Sequence, residues 1–132
     1  MRPGRDVRRS ELFRRIVARR LAAAFGADLV RRGRRPRDLE PPEPAVSAPG
    51  LWVECVAGVD IDPMNALAEA EADAQGSGLW AIAVTRPWGS AATVHIRLDD
   101  FAQLLAEWWS GKARRGSSLS PPPPARAGGG AP

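Results

Sequence analysis

The stretch Leu51-Trp52-Val53-Glu54-Cys55-Val56 constrains this chain more than any other, because five apolar residues surround one carboxylate. A short run rich in aromatic and β-branched residues reads as a buried strand. A carboxylate in such a strand is costly to bury unless it is paired or binds metal. Glu54 is therefore either a functional group or a rim residue paired with an arginine of the first helix. Cys55, the only cysteine, excludes an intrachain disulfide and a multi-cysteine zinc site, and reads as a buried structural thiol.

The strand needs partners, and the remaining 126 residues supply enough for one domain with a modest core. Over residues 6–25, Leu12, Phe13, Ile16, Val17, Leu21, Ala24 and Phe25 recur at helical spacing, and Gly26 is a stop signal. A short strand is expected over residues 27–31. Pro41, Pro42, Pro44 and Pro49 limit residues 38–50 to an extended connector or an edge strand. After the buried strand, Asp62-Pro63 opens a helix with an N-cap and a first-turn proline, which Gly76-Ser77-Gly78 ends. Residues 79–85 and 92–97 read as a hairpin around Arg86-Pro87-Trp88-Gly89-Ser90. Asp99 or Asp100 caps a last helix that carries Phe101, Leu104, Leu105 and Trp108 on one face. The expected fold is α/β, a mixed sheet flanked by helices. The ordered domain covers residues 6–110, between a flexible N-terminus (1–5) and a disordered Pro/Gly-rich tail (111–132).

Charge divides the chain. Residues 1–50 hold thirteen arginines against six acids, whereas residues 51–110 hold two against nine. A basic half of this kind can meet phosphates, and Arg15, Arg19, Arg31, Arg32, Arg34 and Arg35 are the candidate DNA contacts. Glu11 precedes Arg15 by four residues, the spacing of a helix-surface ion pair. His95 lies between Val94 and Ile96 and reads as structural or exposed. Trp52, Trp80 and Trp108 stand where core packing uses them, while Trp88 at the hairpin tip is the candidate for stacking on a base or a partner. No run of eighteen apolar residues suggests a membrane span, and the arginine-rich N-terminus lacks the apolar core of a secretory signal. The expected compartment is the cytoplasm.

Three stretches carry a family resemblance. Glu43-Pro44-Ala45-Val46-Ser47-Ala48-Pro49-Gly50-Leu51-Trp52-Val53-Glu54-Cys55-Val56, then Ala66-Leu67-Ala68-Glu69-Ala70-Glu71-Ala72-Asp73, then Arg97-Leu98-Asp99-Asp100-Phe101 together resemble the small phage and prophage PD-(D/E)xK nucleases, the Holliday-junction-resolvase-like endonucleases. The resemblance implies a restriction-endonuclease-like fold and hydrolysis of DNA phosphodiesters. In that chemistry Mg²⁺, held by two strand carboxylates, activates water, and a lysine offsets transition-state charge.

Matched position by position, Glu54 takes the second carboxylate and is the one catalytic candidate. The first carboxylate falls on Ala45, the lysine on Val56 and the helix acid on Arg14. Glu54, Asp38 and Glu40 remain as weak metal candidates, the last two only if the Pro-rich connector folds back. The expectation is a phage-type nuclease-fold protein that binds DNA with impaired or lost activity, and that needs Mg²⁺ only if active. An active endonuclease with relocated ligands and a protein-interaction module on a nuclease scaffold are the alternatives. A homodimer and a protein partner for the Pro-rich tail are left open.

Overall fold

The computed structural model describes residues 3–33 and 42–115, with side chains described from residue 10 to residue 112. The chain begins with α1 (Pro3–Phe25), a 3₁₀ turn (Ala27–Leu29) and β1 (Arg31–Arg32). It continues through β2 (Val46–Ala48), β3 (Leu51–Gly58) and α2 (Pro63–Ala74). Strands β4 (Trp80–Pro87) and β5 (Thr93–His95) follow, and α3 (Leu98–Arg115) comes last. The chain divides into two compact units, Met1–Ile96 and Arg97–Pro132. None of the described helices is long and apolar enough to cross a membrane.

The first unit is an α/β layer structure around one five-stranded mixed sheet, ordered β1-β2-β3-β4-β5. Strand β3 is its middle strand, antiparallel to β2 and parallel to β4. The parallel pair is connected through α2, as a crossover requires. Alternation along β3 sorts its side chains between two faces. Trp52 packs with Ala70, Ala74 and Ala81, and Val56 packs on Ala66, Leu67 and Ala83, so this face lies under α2. Val53 and its cross-strand partner Val46 point the other way and are 1 % and 0 % exposed. Helix α1 contacts β1, β2 and β3 and closes that face with its buried Phe13 and Val17.

Local chemistry explains the ends of the elements. The Asp62 carboxylate accepts hydrogen bonds from the Met64 and Asn65 amides at 3.1 and 3.2 Å, with Pro63 in the first turn. This satisfies two of the four amide donors a helix leaves free. Pro49 and Gly50 form the two-residue loop between the paired Ala48 and Leu51, and Gly50 takes φ 77°, which a side chain would oppose. Gly33 donates to the Ala45 carbonyl at 2.9 Å, and a Cβ there would collide with the Pro44 carbonyl.

Several expectations need correction. Residues 27–31 do not form a strand: Gly26, at φ 100°, redirects the chain into the Ala27–Leu29 turn, and only Arg31 and Arg32 reach the sheet. Strand β2 is no edge, since β1 pairs on its far side. The prolines flank the three residues that pair and do not interrupt them. Asp99 and Asp100 sit inside the first turn of α3, which starts at Leu98, and therefore face the positive helix end instead of capping it. Gly111 does not stop α3, which continues to Arg115. Trp108 is half exposed rather than core.

Replacing Asp62 with Ala is expected to cost about 1 kcal/mol of stability, read from urea unfolding midpoints. Gly33→Ala should cost more, because backbone, not a pliable side chain, occupies the space a Cβ needs.

Candidate functional site

Glu54 lies on the α2 face of β3, between Trp52 and Val56. Its Oε2 accepts a hydrogen bond from Trp52 Nε1 at 3.0 Å. Burial pushes its pKa up from an ordinary 4.5 to about 7. The Trp52 hydrogen bond opposes this, Asp73 and Glu69 on α2 add to it, and Arg14 opposes it weakly. The carboxyl group thus exchanges its proton near neutrality, the range useful to a general acid or base.

The neighbouring positions are apolar. The β2–β3 pairing runs from Ala48 with Leu51 to Val46 with Val53. Ala45 precedes it, half-buried, with its carbonyl accepting from the Gly33 amide, and its side chain has no ligand to offer a cation. Val56, two residues beyond Glu54, is packed into the Ala66, Leu67 and Ala83 cluster. Among the described residues, no three His, Cys, Asp or Glu side chains gather as a metal site. Asp38 and Glu40 lie outside the described residues, as do Arg34 and Arg35.

Arg14 occupies the helix position where a carboxylate is expected, and the structure shows what it does instead. Its guanidinium donates to the Gly33 carbonyl and lies 3.5 Å from Glu11, whose other oxygen is 3.8 Å from Arg32. Glu11 therefore pairs one turn along α1 with Arg14 and across to β1, not with Arg15. Arg14 is largely buried while Arg32 is open to solvent, so the Arg14 contacts matter more for joining α1 to β1. No periodicity signal marks this cluster, because it joins residues from two elements.

Of the six candidate phosphate contacts, Arg15 and Arg19 are exposed on α1, and Arg31 and Arg32 on β1. Arg20, which the charge pattern left aside, is exposed beside Arg19. Cys55 is neutral at physiological pH, since burial pushes its thiol up to about 12 and the Glu54 charge adds to the effect. It is a poor nucleophile in that state.

A second polar group lies on the same sheet face. His95 Nε2 is 2.9 Å from Thr85 Oγ1 and 3.0 Å from Thr93 Oγ1. Thr85 is only 1 % exposed, so this network satisfies a buried hydroxyl, as the structural reading of His95 expects. Ala83 pairs with both Glu54 and His95. Two strand spacings, about 10 Å, therefore separate the Glu54 and His95 backbones.

No protein-family model, no curated protein and no solved structure matches this chain.

The Glu54 proton has a consequence for stability. The folded chain holds it to about pH 7 and the unfolded chain releases it near 4.5. This contribution is complete below pH 4.5, falls as pH rises, and is lost above 7, by on the order of 3 kcal/mol at most. Glu54→Gln is expected to flatten unfolding free energy between pH 4.5 and 7 and to stabilise the protein at pH 8. Trp52→Phe removes the donor, so the Glu54 titration followed by carboxyl ¹³C NMR should move further above 7.

Proposed function

We propose that this chain is a PD-(D/E)xK-type, restriction-endonuclease-like protein that has lost its catalytic set and binds DNA through α1 and β1. The observation that carries the reading is that Glu54 is a lone, buried carboxyl group on the middle strand. The resemblance aligns Ala45 and Val56 with the missing carboxylate and lysine; Val56 packs on Ala66, Leu67 and Ala83, and Ala45 directly precedes β2. The element order supports the same reading: a helix, antiparallel strands, a parallel crossover through α2, then a hairpin strand.

Lost catalysis follows from the chemistry of that spot. One strand carboxylate that still holds its proton near neutrality is a poor Mg²⁺ ligand, because a hard cation needs several oxygen donors. Without a bound cation or a lysine, nothing beside Glu54 stabilises the pentacovalent phosphate. Retained DNA contact rests on Arg15, Arg19, Arg20, Arg31 and Arg32. Guanidinium groups on a helix and the adjoining edge strand can hold phosphates without reading base sequence. Arg34 and Arg35, outside the described residues, follow β1 in sequence and are candidate contacts by charge alone.

Labelled four-way-junction and linear duplex DNA, titrated with the purified protein at several salt concentrations, test the reading. Binding should weaken steeply with salt, and Arg15→Ala with Arg19→Ala should lower the salt slope by up to about 2. Affinity independent of salt would overturn the DNA proposal and favour a protein-interaction scaffold. With Mg²⁺ or Mn²⁺ present no cleavage is expected; cleavage abolished by Glu54→Ala would establish an active endonuclease with relocated ligands. Ala45→Asp supplies the carboxylate that the resemblance expects at this position, and should tighten Mn²⁺ binding, read by calorimetry, on the order of tenfold.

A further inference from the structure

Among the described residues, Arg32 is the one proposed phosphate contact that forms an ion pair. Its Nη1 lies 3.8 Å from Glu11 Oε1. That separation is too long for a hydrogen bond, and Glu11 Oε1, although buried, accepts none among the described residues. The carboxylate therefore gives Arg32 a neighbouring charge and no hydrogen bond. Pairs of this kind, with both side chains partly open to solvent, hold each other weakly.

Glu11 has a firmer tie to Arg14. Its Oε2 lies 3.5 Å from Arg14 Nη1, and the Arg14 side chain is only 14 % exposed. A guanidinium this deep needs a countercharge. Arg14 is also fixed to the sheet edge, because its Nη2 donates to the Gly33 carbonyl while the Gly33 amide donates to the Ala45 carbonyl at 2.9 Å. Glu11 is thus required by Arg14 and merely shared with Arg32.

A phosphodiester offers Arg32 what Glu11 does not. Two phosphate oxygens can accept two parallel N–H bonds from one guanidinium, and such charge-assisted bonds are about twice as strong as neutral ones. Releasing Arg32 strands no buried charge, since Glu11 keeps Arg14. Resting on the DNA reading above, we propose that Arg32 is held by Glu11 in the free protein and passes to a DNA phosphate on binding. Glu11 is then a built-in competitor that lowers the affinity of the α1–β1 surface, and Arg14 keeps that competitor in place.

Titrations of duplex DNA with the full chain at one low salt concentration test the exchange. Glu11→Gln preserves side-chain size and removes the charge. It should tighten binding about two- to fivefold, the strength of a partly exposed ion pair. The gain should vanish when Arg32→Ala is already present and persist when Arg15→Ala is, with circular dichroism verifying the fold of each variant. Wild-type protein gives an independent readout by NMR. Saturating DNA should move the Arg32 Nε and Glu11 carboxyl carbon resonances together. Unchanged affinity in a folded Glu11→Gln protein, or the same gain without Arg32, would overturn the exchange and leave the DNA reading standing. A Glu11 resonance that ignores saturating DNA would do the same. If neither the wild-type nor the Glu11→Gln protein binds DNA, the DNA reading fails and this inference fails with it.

Discussion

Burying β3 with Glu54 still in it is the constraint on which the rest of the first unit depends. Strand β3 is the middle of five, and its two faces must be covered by α1 and α2 for the sheet to persist. Trp52 packs under α2 with Ala70, Ala74 and Ala81, and it also donates the hydrogen bond that makes the nearby carboxyl tolerable. The alanines of α2 belong to the same solution. Ala66, Ala70 and Ala74 let the helix backbone approach the sheet closely enough to leave room for an indole beneath it. The cost falls on Glu54, which keeps its proton to about neutrality because water has been displaced.

The charge division of the chain becomes a spatial arrangement through one cluster centred on the largely buried Arg14. Arg14 reaches from α1 to the Gly33 carbonyl, and Glu11 lies between Arg14 and Arg32. The helix and the short edge strand β1 are therefore held together, with Arg15, Arg19, Arg20 and Arg31 exposed to solvent. A two-residue strand has too few ladder hydrogen bonds to hold its own position. The Gly33 amide bond to Ala45 and the Arg14 contact supplement it. Glu69 and Asp73, by contrast, lie on the exposed side of α2 and raise the Glu54 pKa from there. In the proposed reading, the surface offered to phosphates owes its order to this cluster and not to the former catalytic spot.

Much of the fold was legible because its signals are local. The apolar run at β3, the Asp62-Pro63 start of α2 and the glycines ending it each state a local preference that the tertiary structure leaves intact. The same is true of Pro49-Gly50 as a turn. Errors arose where a local signal competed with a longer-range one. Four prolines between 38 and 50 argue against a paired strand, yet Val46, Ser47 and Ala48 keep their amides; the first two pair on both sides and Ala48 pairs with Leu51. Gly111 weakens α3 by only about 1 kcal/mol, too little to end a helix whose neighbours favour it. The Glu11–Arg14–Arg32 cluster left no pattern because its members come from two elements.

By itself the sequence determined that one strand would be buried with a carboxylate in it, and that Asp62 would start the helix covering it. It also determined that the basic residues would precede that strand and the acidic ones follow it. These outcomes depend on residue type and spacing along the chain, which folding cannot alter. Only the tertiary structure decided what Glu54 would face. The crossover through α2 set Val56 against Leu67, and burial withdrew the carboxyl from water. The ionisation of a carboxyl group depends on the dielectric and charges around it, and those come from residues distant in sequence.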